Sequence, residues 1–184
     1  MDLLQRIRRL MKREGAPRAR PEKSLPQVEL QTAQTPTAPK TFLFPAPNLY
    51  SRILVEGRTV GFVDYGLNPL GDRIYIHKIE VAPEYQRHGY GLAALALIAA
   101  QYPVPMTPVH IYGSALDFWS VAREHLQQLG CQITDQLRTS QLEEEAKRWQ
   151  HLVPEPEHER MIREYWVWVE SERAAGRPAG PGIK

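Results

Sequence analysis

The chain carries one cysteine, Cys131, in 184 residues, which excludes an intrachain disulfide and a cysteine-rich zinc site and makes a reducing cytoplasm the expected compartment. No apolar run approaches the length of a bilayer span, and no short apolar segment ends in a small-residue cleavage site. Neither a transmembrane segment nor a secretion signal is therefore expected. Charge of one sign is missing too: 23 Lys and Arg against 21 Asp and Glu leave a net +2, which neither favours nor excludes a nucleic-acid partner for the whole chain. Two familiar phosphate loops are absent. There is no G-x-x-x-x-G-K followed by Ser or Thr, and no G-x-G-x-x-G with an acidic residue closing a second strand. What remains is 42% apolar residues, enough for one folded domain with tails.

Read in order, Met1 to Arg13 sets Leu3, Leu4, Ile7, Leu10 and Met11 at helical spacing among Arg6, Arg8, Arg9, Lys12 and Arg13. This is a basic amphipathic segment suited to anionic lipid, RNA or a partner's groove, or to docking on its own chain. Gly15 to Asn48 contains seven prolines and predicts a disordered arm, so that residues 1–48 stand apart from a folded domain at 49–175. Ser51–Glu56 and Thr59–Tyr65 are β-rich runs flanking Gly57-Arg58 and predict a tight hairpin. Asn68-Pro69-Leu70-Gly71 is a second turn. It leads into the stretch on which the rest depends.

Ile74 to Val81 is rich in β-branched residues and predicts a strand that ends at Pro83, which lacks a ladder donor and holds Ala82 extended. Gly91 to Gln101 is mostly Ala and Leu and predicts a short helix, apolar nearly all round and hence buried. Between them lies Gln86-Arg87-His88-Gly89-Tyr90-Gly91. Two glycines there permit positive φ and close approach of a ligand to the main chain, and the first N–H groups of the helix have no intrahelical acceptor. With the helix dipole, that predicts a phosphate or pyrophosphate site.

The run V-A-P-E-Y-Q-R-H-G-Y-G-L-A resembles motif A of the GNAT superfamily of acyl-CoA-dependent N-acetyltransferases: Gln or Arg, two residues, Gly, one residue, then Gly or Ala, after a strand ending in Val-x-Pro. The resemblance covers Tyr50 to Cys131. It implies an α/β fold with a mixed, mostly antiparallel sheet flanked by helices, and acetyl-CoA as acyl donor. It also implies a cofactor site on Ile79, Val81, Gln86, Arg87, His88, Gly89, Tyr90, Gly91 and Leu92, and no metal. Apolar positions Ile76, Ile79 and Val81 change phase by one residue, as a β-bulge requires. A bulge in this strand is a family feature, and the N–H it frees, expected near Val81, is the family's oxyanion donor.

After the buried helix, Tyr102 to Pro108 carries three prolines and cannot be helical, and Val109 to Tyr112 predicts a short strand. Ser114 is the expected N-cap of a helix running to Leu129 and stopped by Gly130. This unit resembles motif B of the same family, except that Leu126 stands where the family often has a tyrosine that protonates the departing thiolate. Cys131–Leu137 predicts a further strand, and Tyr165–Val169 a closing one, although Met161, Ile162, Tyr165, Trp166 and Val169 also fit a helical stripe. Residues 138–160 would then be an insertion beside the acceptor, with a charged helix at Gln141–Leu152, and 176–184 a Pro/Gly tail.

Acyl transfer needs a neutral amine, yet an alkyl ammonium with a pKa near 10.4 is deprotonated in only about one molecule in a thousand at neutral pH. A base is therefore useful. His77, Glu80 and His110 are the candidates by position, and Tyr112 and Tyr90 the phenols nearest to replace the missing acid. Tyr90 follows the turn and is expected only to cover the cofactor. The acceptor stays open among small amines, proteins and aminoacyl-tRNA, as does homodimerisation. Two other classes stand beside the enzyme: a non-catalytic acyl-CoA-binding module that recruits a macromolecular partner, and a nucleic-acid adaptor built on Met1–Arg13.

Overall fold

The computed structural model describes residues 24–177; the basic segment Met1–Arg13 and most of the C-terminal tail lie outside them. Five strands form one sheet in the order β1 (Glu29–Thr35), β2 (Asn48–Val55), β3 (Arg58–Leu67), β4 (Ile74–Val81) and β5 (Met106–Pro108). The first four are an antiparallel meander, and β5 runs parallel to β4. Four α-helices follow: α1 (Tyr90–Gln101), α2 (Leu116–Gln128), α3 (Thr139–Ala146) and α4 (Glu157–Ala174). This is the expected mixed, mostly antiparallel sheet flanked by helices. Among the described residues no helix is long and apolar enough to cross a membrane.

The turns explain the meander. The β2–β3 hairpin turns at Glu56 and Gly57, both with positive φ (49° and 76°), the conformation that matches the twist of the strands it joins. It falls one residue before the Gly57-Arg58 pair. Between β3 and β4, buried Asn68 donates from Nδ2 to Asp72 Oδ1 at 2.8 Å and accepts from the Asp72 N–H at 3.1 Å, folding its own loop around one side chain.

Residues alternate across the sheet. One face, with Leu49, Ile53, Val63, Tyr65, Ile74 and Ile76, packs on α1 and α2 to make the main core. The other begins at Tyr75, which joins Leu43, Val109 and Trp149 in a second buried cluster. Phe42 meets Trp149 edge-on at 5.4 Å and Tyr75 at 4.9 Å. Tyr75 also donates to Glu145 at 2.5 Å, and Arg148 bonds Glu145 and Asp72 at 2.8 and 2.6 Å. These contacts clamp α3 and the following turn over one end of the sheet.

Several expectations are corrected. The arm is not disordered between its prolines: Gln27 to Thr35 has none, and β1 pairs with β2 along its whole length while Val28 is buried. Pro26 and Pro36 bound the strand instead of preventing it. Val109–Tyr112 is not a strand; the ladder lies upstream at Met106–Pro108, and His110 is left-handed (φ 54°). Cys131–Leu137 makes only isolated bridges, Ile133 to Met106 and Leu137 to Val109.

Tyr165–Val169, expected as a closing strand, belongs to α4, so residues 138–160 are not an insertion between two strands. Pro156 precedes the helix, Glu157 and Glu159 occupy its first turn and Arg173 its last, all favourable to the helix dipole. Of the two signals expected to bound α2, the stop holds and the cap does not. Gly130 (φ 80°) ends α2 with Cys131 N–H on Leu126 O at 2.9 Å and Gly130 N–H on Gln127 O at 3.0 Å, the paired bonds of a Schellman stop. Ser114 does not cap it, because a short 3-10 turn at Gly113–Ala115 comes first.

Candidate functional site

The site starts where β5 leaves β4. Residues Ile74 to Ile76 pair with Met106 to Pro108, and Val109 N–H still reaches Ile76 O at 2.9 Å. Pro108 faces the other way, its carbonyl accepting from Leu137 N–H at 2.9 Å. The left-handed backbone at His110 then turns the chain away, and its N–H bonds Leu137 O at 3.1 Å. From His77 to Val81 the β5 side of β4 is open.

The bulge lies at the same point. On β3, Tyr65 pairs with Ile76 and Asp64 with Lys78, so His77 is the unpaired extra residue. The phase change between Ile76 and Ile79 is accounted for, but the irregularity sits upstream of Val81, where it was expected. After it, Ile79 and Val81 face the main core, while Lys78 and Glu80 face the opposite side with Phe62 and Asp64.

That opposite side carries the polar chemistry. Tyr50 and Phe62 stack at 5.3 Å, and Lys78 Nζ lies 5.1 Å from the Phe62 ring centroid while pairing with Glu80 at 2.7 Å. The hydrogen bond and charge of Glu80 raise the Lys78 pKa, and Tyr112 contributes to that field. His77 is half-buried with the Phe42 ring edge-on at 6.3 Å. Burial lowers its pKa from the ordinary histidine value, against an opposing pull from Asp64. Its imidazole is neutral at pH 7.

At the far end of the open edge is the glycine turn. Gln86 Nε2 donates to Val81 O at 3.0 Å, tying the turn to the strand end. Arg87 and Gly89 have positive φ (63° and 83°), and α1 starts at Tyr90. The His88 Nδ1 atom faces two carbonyls, Gln86 O at 2.8 Å and Tyr85 O at 3.2 Å; carbonyls only accept, so Nδ1 carries the proton. His88 stacks on Tyr90 at 5.5 Å.

A Cβ on Gly89 would come 3.2 Å from Pro26 Cδ, and one on Gly91 would come 3.3 Å from Phe118 Cε2 and 3.6 Å from Ile79 Cδ1. At Gly89 the positive φ strains any other residue, whereas at Gly91 the Phe118 ring would have to give by a few tenths of an ångström. Successive N–H groups at the start of α1, with no side chain at Gly89 or Gly91 to obstruct them, fit a pyrophosphate.

The sequence-selected residues thus fall into separate places. Ile79 and Val81 lie on the open edge, and Gln86, Arg87, His88, Gly89, Tyr90, Gly91 and Leu92 form the turn and first helical turn. Glu80 and Tyr112 share the polar side, Tyr112 being 77% exposed. His110 is not with them; its Nε2 contacts Thr139 Oγ1 at the start of α3. Leu126 is fully buried in the main core. Three neighbours were not singled out from sequence. Asp64 and Phe62 come to the site only through strand register, and Phe118 only through packing of α2 on α1; none has a local signal. His77 did have one, the phase change that begins beside it.

No curated protein matches the chain. A family model described as acetyltransferase (GNAT) family matches residues 4–103, more than half of the 184. The match takes in β1 to β4, the glycine turn and α1, reaches well before Tyr50 and stops short of β5. With the bulged β4, the departing β5 and the glycine turn at the head of α1, the chain belongs to the GNAT family of acetyltransferases.

Proposed function

We propose that the protein transfers an acetyl or other acyl group from acyl-CoA to a primary amine, by direct attack while both are bound. The observation that carries this reading is the coincidence at His77 of three features: the β4 bulge, the departure of β5, and a neutral imidazole beside Asp64. The N–H groups of Arg87 to Leu92 hold the donor's pyrophosphate, and the open edge of Ile79 to Val81 runs beside its pantetheine.

The acceptor approaches over the side lined by Tyr50, Phe62, Lys78 and Glu80. Its nitrogen attacks the thioester carbonyl, the carbon–sulfur bond breaks, and the amine proton passes to His77. Glu80, engaged by Lys78, helps to hold an approaching ammonium. With Leu126 in the core, Tyr112 is the phenol that returns a proton to the leaving thiolate, which with an ordinary thiol pKa near 8.5 also departs unassisted. His110, turned towards Thr139, has a positioning role for the α3 end of the cleft.

The test pairs calorimetry of acetyl-CoA and CoA with thiol release over a panel of small amines, lysine peptides and aminoacyl-tRNA. Saturable release that needs both substrates is expected. Tight CoA binding without turnover on any amine would instead make this a binding module, and no CoA binding would remove the reading altogether.

A further inference from the structure

The described part of the chain begins at the glycine turn. Pro26 sits against Gly89, its Cδ 3.2 Å from where a Cβ would stand on that glycine, and Leu25 packs on the main core. Residues 1–23 lie outside the described ones. They join the domain at the head of α1, beside the N–H groups that fit a pyrophosphate.

Charge is divided unevenly between the two parts. Residues 1–23 hold eight of the 23 Lys and Arg but three of the 21 Asp and Glu, a net +5, which leaves residues 24–184 at −3. The turn does little to correct this. Arg87 is its one permanent cation, Glu84 stands three residues before it, and both are exposed. His88 points Nδ1 at two carbonyls. Acyl-CoA carries about four negative charges on its pyrophosphate and 3′-phosphate. It therefore meets a domain of its own sign, with a segment of the opposite sign attached where its phosphates would lie.

We propose that Arg18, Arg20 and Lys23 bind the phosphate groups of the acyl-CoA donor, a step that rests on acyl-CoA being the donor. Lys23 is three residues before Pro26 and Arg18 eight, so even a fully extended chain keeps them within roughly 10 and 27 Å of the turn. Attachment at Pro26 holds these cations at high effective concentration beside the ligand. Glu22 offsets one of them and leaves residues 18–23 at a net +2. Nucleic acid is the other polyanion that suits a basic segment, but it gives no reason for the segment to join the domain at the glycine turn.

The test is calorimetry of acetyl-CoA on the full chain at about 50 mM and about 1 M NaCl. An exposed ion pair is worth about twofold in affinity. Replacing all three cations in one chain, Arg18→Gln with Arg20→Gln and Lys23→Gln, is thus expected to weaken binding by about tenfold at the lower salt. At 1 M salt, where screening acts within about 3 Å, the difference should fall below about twofold. The charge-keeping exchange, Arg18→Lys with Arg20→Lys and Lys23→Arg, should bind as the wild type does. Repeating the series with dephospho-CoA locates the contact: a deficit that shrinks places it on the 3′-phosphate, and one that persists places it on the pyrophosphate. Equal affinity of the wild type and the glutamine variant at the lower salt would overturn the proposal, leave the donor reading intact and assign the segment to another polyanion. A deficit that survives 1 M salt, or that the charge-keeping exchange fails to restore, would overturn it as well, since the loss would not be one of charge. A wild type that does not bind acetyl-CoA would remove the donor reading and this proposal with it.

Discussion

Replacing His77 by Gln keeps a polar side chain of similar size at the bulge but removes the only neutral imidazole on the open edge of β4. A positioned general base contributes about 10²–10⁴ in rate, or about 2.7–5.4 kcal/mol of barrier. Burial lowers the His77 pKa from the ordinary histidine value, against the pull of Asp64, so the basic form is the one favoured at pH 7, and its contribution is lost in the variant. The expected result is a turnover number lower by about a hundredfold or more, with acyl-CoA affinity unchanged.

The assay needs a chosen acceptor. An alkyl amine titrates near 10.4 and its own deprotonation would dominate the profile, so an aromatic amine or hydrazide, neutral over the whole range, is the substrate to use. The wild-type turnover should then fall on acidification with an apparent pKa below about 6.5, and the His77→Gln variant should show no such limb. The sign for stability is the same. A histidine whose folded pKa is lowered binds more protons when unfolded, so stability rises with pH through the window between folded and unfolded values and is lost below it. A variant with turnover within about threefold of wild type, or with the acidic limb intact, would refute His77 as the base.

Gly89→Val forces a β-branched residue to φ 83° beside Pro26, a strain of about 1–3 kcal/mol, and fills the approach to the turn. Acyl-CoA affinity should drop by at least about tenfold while the melting temperature moves only by that strain; unchanged affinity in calorimetry would remove the pyrophosphate site. A chain beginning at Pro36 lacks β1 and buried Val28 and should lose at least about 2 kcal/mol in urea unfolding; an unshifted midpoint would mean that β1 adds nothing. Burial pushes the Glu145 carboxyl up, but the hydrogen bonds of Tyr75 and Arg148 outweigh it and hold its pKa below the usual value. That stabilisation is present above the unfolded pKa and fades as pH falls through the folded one, so Glu145→Gln should cost about 1–3 kcal/mol at pH 7 and converge on wild type in acid. Parallel melting curves down to low pH would contradict it. Tyr112→Phe should lower turnover by about tenfold or more without altering acyl-CoA affinity, and an unaffected rate would leave the thiolate to depart unassisted.

The sequence made the meander, the glycine turn and the buried helix legible because each rests on local chemistry: a positive-φ turn, a proline stop, an Ala/Leu run. It also announced the bulge, since Ile76 and Ile79 cannot share a face without one. The register that brings Asp64 and Phe62 beside His77 and Glu80 is non-local and left no such trace. β1 was hidden for another reason. Its seven residues are almost all exposed, so its strand status comes from hydrogen bonds to β2 and not from any apolar alternation, and the surrounding prolines masked it. Leu43 was concealed likewise: it buries itself above Gly66, where a side chain would clash with its Cδ1, a fit that neither residue shows alone. In α4 the run Tyr165–Val169 satisfies both periods, and the flanking charges, not the aromatics, decide for helix.

The open edge of β4 has its cause in the backbone. A parallel β4–β5 pair continued past Pro108 would place further side chains and backbone groups against His77 to Val81 and close the edge. The Val109 N–H makes the last bond to β4, and His110, left-handed and bonded through its N–H to Leu137 O, redirects the chain before another residue can pair. On the β4 side the bulge turns His77 out of the ladder at the same level. Together they expose one stretch of β4 backbone between His77 and the glycine turn. Leu126 is not part of that edge: it is fully buried in the main core.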